Sequence, residues 1–200
     1  MKEVWEKQYE EKKPPWNYDY FDKDLSEFFR KRFFDNKKFS IIDLGCGNGS
    51  QAHYIEKSGN IFDVTATDIV NALEYDVKNF IIDDALDSKL TKKYDIIIDR
   101  GLIHNLFHLK DKRHKYFEMI GNIIHDESYI VLKVLSPYEA RFNPTTHSGP
   151  YRFNEKQLMG FFSGFGFECI QLKDTFFYSN IEPPLRGYFS VYKKEGDIND

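Results

Sequence analysis

The sequence predicts an α/β protein with a doubly wound, mostly parallel seven-stranded sheet, helices on both faces and an antiparallel pair of strands at the carboxyl end. Short apolar runs alternate with stretches of helical period, and a glycine-rich turn follows the first run directly. The last two apolar runs have no helical pattern between them, which indicates that they pair antiparallel. With 200 residues, of which 41% are hydrophobic, the chain is expected to form one domain with a packed core.

The segment before the first strand predicts an arm that covers the core. Residues 1–20 are rich in charged and aromatic side chains and are interrupted by Pro14-Pro15, which indicates a short helix followed by an extended stretch. Residues 22–35 place Leu25 and Phe28 at helical spacing and predict an amphipathic helix. We therefore expect residues 1–36 to lie over a core that is formed by residues 37–200.

Within this core, apolar runs predict strands and amphipathic stretches predict helices. The predicted strands are 39–44, 61–67, 79–82, 94–98, 129–135, 167–172 and 187–192, and the predicted helices are 50–57, 111–124 and 154–163. Asn154 is a candidate N-cap of the last helix. Two long connections remain, 136–151 and 175–186, and the first is expected to act as a lid loop near residues 136–153.

The first strand runs into a glycine loop, residues 43–49 (Asp-Leu-Gly-Cys-Gly-Asn-Gly). Glycines allow a sharp turn and a close approach to a ligand, and the helix that follows begins with free N–H groups, so the loop indicates a nucleotide-like ligand. Its Gly-x-Gly-x-Gly spacing differs from the Gly-x-Gly-x-x-Gly of dinucleotide sites. Asp43 would repel a pyrophosphate and attract a ligand that carries an ammonium and a sulfonium. A nicotinamide oxidoreductase is therefore disfavoured.

Further acidic residues follow the next three strands. Asp68 ends the second strand and can accept hydrogen bonds from ribose hydroxyls, while Asp83 and Asp84 follow the third strand, where a carboxylate can meet an adenine amino group. Asp99 ends the fourth strand. Because the carboxyl ends of parallel strands share one edge of the sheet, we expect these acids to surround one ligand.

The order of these motifs resembles the class I, Rossmann-like S-adenosylmethionine-dependent methyltransferases over about residues 38–193. The glycine loop is similar to their first motif, Asp68 to their ribose-binding acid, Asp83-Asp84 to their adenine-side acid, and 94–99 to their fourth-strand motif. The resemblance implies S-adenosylmethionine as cofactor and S-adenosylhomocysteine as product. The cofactor-binding residues that we then expect are Trp16, Asp43, Gly45, Cys46, Gly47, Gly49, Asp68, Ile69, Asp83, Asp84, Ala85, Asp99 and Arg100.

A narrower likeness comes from residues 99–104 (Asp-Arg-Gly-Leu-Ile-His), which resemble the Asp-Arg-Gly segment of thiopurine methyltransferase-like and tellurite-resistance-type enzymes. Pro14-Pro15-Trp16 and residues 149–153 are similar to the same branch, in which an N-terminal arm covers the cofactor. No complete signature of one substrate is present.

His104 is the first candidate for a catalytic base or a substrate contact, because it follows the fourth strand, where the methyl group should point. The alternative is a histidine that only hydrogen-bonds its loop. Arg141, Arg152 and Arg186 lie on loops and would favour an anionic acceptor if they converge. Aromatic residues of the arm, Tyr9 among them, either close over the ligand or only dock the arm. The substrate-binding candidates are Tyr9, His104, Arg141, His147, Tyr151 and Arg152.

Composition excludes several other classes of function. A net charge of -4 gives no global reason to bind nucleic acid. The two cysteines and six histidines show no metal-ligand spacing, so we expect no metal and free thiols. No apolar run approaches the length of a membrane span, and the charged first residues do not resemble a secretory signal. The expectation is a cytoplasmic monomer or homodimer.

The function that we predict is methyl transfer to a small-molecule acceptor by in-line displacement. One alternative is a protein or other macromolecular acceptor; another is a non-catalytic protein that binds S-adenosylmethionine. Methylation of nucleic-acid bases is disfavoured, because Asp99 is followed by Arg100-Gly101 and not by the Pro-Pro-aromatic sequence common in amino methylases of nucleic acids. A general base is needed only if the acceptor must lose a proton of high pKa.

Overall fold

The computed structural model describes residues 2–11, 14, 16–33, 37–141 and 149–194. The helices are α1 (Lys2–Glu11), α2 (Lys23–Arg32), α3 (Ser50–Ser58), α4 (Leu102–Leu106), α5 (Arg113–Ile123) and α6 (Glu155–Met159), with a short 3-10 helix at Ser163–Phe165. The strands are β1 (Phe39–Leu44), β2 (Phe62–Asp68), β3 (Asn79–Ile82), β4 (Ile96–Arg100), β5 (Tyr129–Leu135), β6 (Phe167–Phe177) and β7 (Leu185–Lys194). Within these described ranges, no helix has the length and apolarity needed to cross a membrane.

The seven strands form one sheet in the order β3-β2-β1-β4-β5-β7-β6. Strands β1 to β5 pair in parallel, whereas β7 pairs antiparallel with both β5 and β6. The predicted fold class is therefore confirmed. β6 and β7 are longer than predicted because they pair with each other as far as Phe177 and Leu185, through a stretch in which charged residues interrupt the apolar pattern.

Both faces of the sheet are covered by helices. On one face, Ile42 and Ile97 pack against α5 residues such as Ile120. On the other face, Ile41 and Ile98 pack against α2 and α3. Neighbouring residues of one strand thus enter different cores, as the two-residue repeat of a strand requires.

The alternation of strands and helices is less complete than the sequence suggests. The connections 69–78 and 83–95, which are described throughout, contain no helix. The helix predicted over 154–163 ends at Met159, although Asn154 caps it as expected: Asn154 and Gln157 form a reciprocal capping box. The short helix α4 was not predicted.

The turn after β1 depends on glycines. Gly45, Gly47 and Gly49 have φ angles of 65°, 57° and 82°, in the left-handed region that side chains disfavour. A Cβ atom on Gly49 would lie 2.6 Å from Leu73 Cδ2 and 3.0 Å from Val77 Cγ2. Gly49 is therefore required by the backbone and by packing.

A buried ion cluster joins α2 to the sheet; we define it as Asp22, Asp24, Arg100, Lys133 and Lys173. Lys133 Nζ donates to both oxygens of Asp22, at 2.9 and 2.8 Å, and to Asp24 Oδ2 at 2.7 Å. Arg100 Nε donates to Asp22 Oδ2 at 3.0 Å, and Lys173 lies 2.9 Å from Asp24 Oδ1. Burial alone would raise the pKa of Asp22, but the charges of Lys133 and Arg100 outweigh it and hold that pKa below its usual value.

Lys133→Met tests this ion cluster. Removal of the cation leaves the carboxylates of Asp22 and Asp24 close together in the interior, so the free energy of unfolding should fall by about 3–5 kcal/mol. Urea denaturation followed by circular dichroism measures the change. The matched control is Lys110→Met at an exposed lysine, for which a change within about 0.5 kcal/mol is expected. Equal effects of the two substitutions would contradict the role of the cluster.

Gly49→Ala tests the glycine turn. The left-handed φ angle and the contact with Leu73 should together lower the free energy of unfolding by about 1–3 kcal/mol. The control is Gly160→Ala, because Gly160 has a φ of -100° and a Cβ there would have nothing within 4 Å. Thermal unfolding of both variants decides the point: a Gly49→Ala protein as stable as Gly160→Ala would show that the turn tolerates a side chain.

Candidate active site

A cavity of about 470 Å³ opens at the carboxyl ends of the parallel strands, between the sheet and the arm. Its volume lies within the roughly 300–1,000 Å³ that is common for small-molecule sites. Most of the predicted site residues line it: Tyr9, Trp16, Asp43, Gly45, Cys46, Gly47, Asp68, Ile69, Asp83, Asp84, Ala85, Arg100 and His104. Residues far apart in sequence therefore meet at one edge of the sheet, as the parallel topology predicts.

Asp68 holds the glycine loop against β2. Its Oδ2 accepts the Gly47 N–H at 3.0 Å, and its Oδ1 accepts the Val70 N–H at 3.2 Å. Burial raises the pKa of Asp68 although these hydrogen bonds oppose the rise. The carboxylate thus fixes the loop and also faces the cavity.

Asp83 and Asp84 reach the cavity from the end of β3. One oxygen of Asp83 accepts the Lys89 N–H at 3.0 Å, and one oxygen of Asp84 accepts the Leu86 N–H at 2.9 Å. The second oxygen of each carboxylate has no partner among the described residues. Both acids are therefore held in place and can accept further hydrogen bonds.

Three buried polar atoms of cavity residues have no hydrogen-bond partner within the described part of the chain: Asn17 Nδ2, Asp43 Oδ2 and His104 Nδ1. Buried polar groups in proteins are nearly always paired, so three unpaired atoms around one cavity indicate a ligand with matching groups. Burial raises the pKa of Asp43 to about 7, Arg100 opposes the rise, and the charges of Asp99 and Asp68 add to it. A cation bound beside Asp43 would favour the charged carboxylate.

His104 lies on α4, where its ring is 5.7 Å from the ring of Phe177. Burial lowers the pKa of His104 to about 3, and the charges of Arg100 and His108 lower it further. The imidazole is therefore neutral at physiological pH and can offer one donor and one acceptor.

The arm closes one side of the cavity. Val4, Trp5, Gln8 and Tyr9 of α1 line it together with Trp16. Trp16 Nε1 donates to Tyr9 Oη at 3.3 Å, and that oxygen lies only 3.2 Å from the point where a Cβ of Gly47 would be. Glycine at position 47 thus allows the arm to approach the loop, and the arm aromatics both dock the arm and face the cavity.

The structure corrects the expectation for two predicted cofactor residues. Asp99 is fully buried outside the cavity lining, and its oxygens accept the N–H groups of Gly101, Leu102 and Ile103 and the Tyr116 hydroxyl. These hydrogen bonds join the end of β4 to the first turn of α4. Gly49 does not line the cavity either, because it faces Leu73.

The loop arginines converge, but on Glu139 and not on the cavity. The Arg141 guanidinium binds the Glu139 carboxylate, Arg152 donates to the Glu139 carbonyl, and the Arg186 backbone N–H donates to Glu139 Oε2. This removes the basis for an anionic acceptor. Tyr151 also lies outside the cavity lining, with its hydroxyl accepting from Gln157. His147 is outside the described residues.

Sequence reasoning missed the wall of the cavity that lies beyond β4. Leu135, Phe177, Ser179, Ile181 and Leu185 line the cavity, as do Leu102, Asn105 and Leu106 of α4. The 175–186 connection was noticed as a long loop, but an apolar residue in a loop carries no signal of its partner. Asn17 of the arm was missed too, because an isolated amide in an extended segment carries no signal of the cavity that it lines.

The described ranges contain no cluster of three or more His, Cys, Asp or Glu residues that could hold a metal ion. Cys46 faces the cavity, and burial raises the pKa of its thiol well above the usual value. The chemistry of the site is therefore that of carboxylates, an amide and a neutral imidazole around a glycine turn.

Comparisons with solved structures find the same fold at low sequence identity. A protein solved in a study of the conversion of a disulfide bond into a thioacetal group during echinomycin biosynthesis is 16% identical, with a TM-score of 0.76 over 98% of this chain and 94% of that one. A methyltransferase from Anabaena variabilis is 15% identical, with a TM-score of 0.75 over 97% and 95%. The 1,6-didemethyltoxoflavin-N1-methyltransferase from Burkholderia thailandensis is 14% identical, with a TM-score of 0.72 over 98% and 87%.

A search of curated proteins found no match. The comparisons do not show that the chain belongs to the thiopurine methyltransferase and tellurite-resistance-type branch. The family model described as "Methyltransferase domain" matches residues 16–172, which is most of the chain and includes every strand from β1 to β5. The chain therefore belongs to the methyltransferase domain family.

Proposed function

We propose that this protein transfers a methyl group from S-adenosylmethionine to a small-molecule acceptor that is bound in the cavity. The observation that carries the proposal is the buried Asp43 carboxylate, whose Oδ2 has no partner among the described residues. It lies beside the glycine loop, in a row of acids that continues along the sheet edge. A cofactor with an ammonium, a ribose and an adenine matches this row group by group.

The residues of the chain divide between the parts of the cofactor. Asp68 would accept from the ribose hydroxyls, and Asp83 and Asp84 from the adenine amino group. Asp43 Oδ2 and Asn17 Nδ2 would serve the amino-acid end, as an acceptor and a donor. The proposed cofactor-binding set therefore contains the predicted acids Asp43, Asp68, Asp83 and Asp84 together with Asn17, and it does not contain Asp99.

The acceptor would lie next to His104. Bound S-adenosylmethionine would supply a methyl carbon on a positive sulfur, which would keep the C–S electrons when the acceptor's lone pair binds the carbon. Any proton on the acceptor would pass to bulk solvent after the transfer. The chain's own task is to align the acceptor and to exclude water. The arm residues Trp5, Tyr9 and Trp16 supply the exclusion, since they line the cavity opposite the sheet edge.

His104 would contact the acceptor without acting as a strong base. A group with a pKa of about 3 holds a proton too weakly to drive proton removal at neutral pH. It can still accept or donate one hydrogen bond through Nδ1. This role explains why an imidazole stands unpaired in an interior position.

The size and enclosure of the cavity support a small acceptor over a macromolecular one. The Burkholderia structure contains 1,6-didemethyltoxoflavin and S-adenosylhomocysteine, a small acceptor and the spent cofactor, in the same overall fold. A turnover assay distinguishes an enzyme from a non-catalytic protein that only binds S-adenosylmethionine.

Calorimetry with S-adenosylmethionine tests the proposal at Asp43. Because the pKa of Asp43 is about 7 and a cation beside it favours the charged form, binding at pH 7 should release about half a proton. The release is measured from binding heats in buffers of different ionisation enthalpy. Asp43→Asn should abolish it and weaken binding, whereas Asp111→Asn, at an exposed position, should preserve both. No binding at millimolar ligand would overturn the proposed function.

Turnover tests His104. His104→Ala should lower kcat/KM by about 10- to 100-fold, the cost of one lost hydrogen bond in a buried site, with an unchanged cofactor Kd. Formation of S-adenosylhomocysteine from a panel of thiols, phenols and heteroaromatic amines is the measurement, and His114→Ala on the exposed face of α5 is the control. The wild-type rate should show no inflection near pH 6.5 from this histidine. Full activity of His104→Ala would leave it a structural role only.

A further inference from the structure

We infer that the half of the cavity beyond β4 binds an uncharged, mainly apolar acceptor, such as an aromatic ring with a single hydrogen-bonding group; this rests on the proposed function. The strand order divides the cavity. Asp43, Asp68 and Asp83 come from β1, β2 and β3 on one side of β4, while β5, β7 and β6 lie on the other side. The two halves of the sheet edge carry different chemistry.

The wall on the second side is apolar; we define the apolar wall as Leu135, Phe177, Ile181 and Leu185. These residues form a hydrophobic cluster that is separate from the two main cores, and all four line the cavity. The antiparallel pairing brings them together, because Phe177 ends β6 opposite Leu185, and Leu185 lies next to the end of β5. A cluster that faces a cavity offers its surface to a ligand of the same polarity.

Two polar side chains in this half each make a hydrogen bond within the protein. Ser179 Oγ accepts the Ile181 N–H at 3.2 Å, and Asn105 Nδ2 donates to the Gly101 carbonyl at 2.7 Å. His104 Nδ1 alone is buried without a partner among the described residues that line this half. The acceptor therefore meets few hydrogen-bonding groups, with His104 Nδ1 among them, beside an apolar wall.

No uncommitted cation faces this half from the described residues. Arg100 is the only Arg or Lys that lines the cavity there, and Asp22 and the Tyr178 carbonyl hold its guanidinium, at 3.0 and 2.6 Å. Lys133 lies behind the ring of Phe177 and is neutralised by Asp22 and Asp24. Residues 142–148, which are outside the described ranges, contain neither Lys nor Arg in the sequence.

An anionic acceptor would therefore lose its hydration without gaining a partner, and it would add to the negative charge of the acids across the cavity. Burial of an unpaired charge is far more costly than burial of an apolar ring. The same wall would accept the ring of a phenol, a naphthol or an indole by contact with Phe177. The cavity would thus select its acceptor in two ways: the apolar wall excludes charged molecules, and His104 forms a hydrogen bond with the acceptor.

Paired probes test the inference. Calorimetry first measures S-adenosylhomocysteine binding to the full chain, and then the binding of each probe to the protein saturated with it. The pairs are phenol and 4-hydroxybenzoate, 2-naphthol and 6-hydroxy-2-naphthoate, and indole and indole-5-carboxylate. We expect the neutral member of at least one pair to bind more tightly than its carboxylate by about tenfold or more.

Ile181→Lys supplies a gain of function, since it places a cation in the apolar wall at a half-buried residue. It should raise the affinity for 6-hydroxy-2-naphthoate and lower that for 2-naphthol, with an unchanged Kd for S-adenosylhomocysteine. Ile170→Lys, at a residue that is 43% exposed on β6, is the control and should change neither affinity. Tighter or equal binding of the carboxylates, or no binding of any neutral probe, would overturn this inference alone. Failure of S-adenosylhomocysteine to bind would overturn it together with the proposed function.

Discussion

Lys133 carries a positive charge into the interior of the sheet, and the positions of α2 and Arg100 depend on how that charge is neutralised. Its ammonium is 1% exposed, so hydration cannot stabilise it, and the carboxylates of Asp22 and Asp24 replace the water. Asp22 is also the N-cap of α2 and accepts from Arg100. One buried charge therefore orders the start of α2, the guanidinium beside the cavity and the ends of β4 and β5.

The two acids at the ends of β1 and β4 show how context assigns a role to one residue type. Asp99 and Asp43 are both fully buried, and burial raises the pKa of each, to about 6 and about 7. Asp99 receives three backbone N–H groups and the Tyr116 hydroxyl, so its charge is satisfied within the protein and it stabilises α4. Asp43 keeps an oxygen without a partner among the described residues. Asp43 therefore keeps an acceptor that Asp99 has already used within the protein.

The sequence predicted the parts of the molecule whose causes are local or periodic. The spacing of hydrophobic residues predicted the seven strands. The glycines at 45, 47 and 49 predicted the turn after β1, in which all three adopt left-handed φ angles. It could not predict the partner of Lys133, because Asp22 lies 111 residues away and the strand around Lys133 reads as uniformly apolar. For the same reason, Arg141 and Arg152 were predicted to contact the substrate, because the sequence around a loop arginine does not show that it will bind Glu139. Side-chain pairing across the fold is set by tertiary geometry alone.

The reversal of strand direction at β7 then explains why one cavity has two kinds of surface. A parallel strand ends at the ligand edge, and where a helix follows it delivers a short polar turn, as β1 does before α3. An antiparallel pair delivers a hairpin, and here the hairpin of β6 and β7 brings Phe177 and Leu185 to the same edge beside Leu135. The acids and the apolar wall are therefore consequences of the topology, with β4 and His104 at the boundary between them. Substitutions in the hairpin can therefore change the apolar wall while the row of acids stays intact.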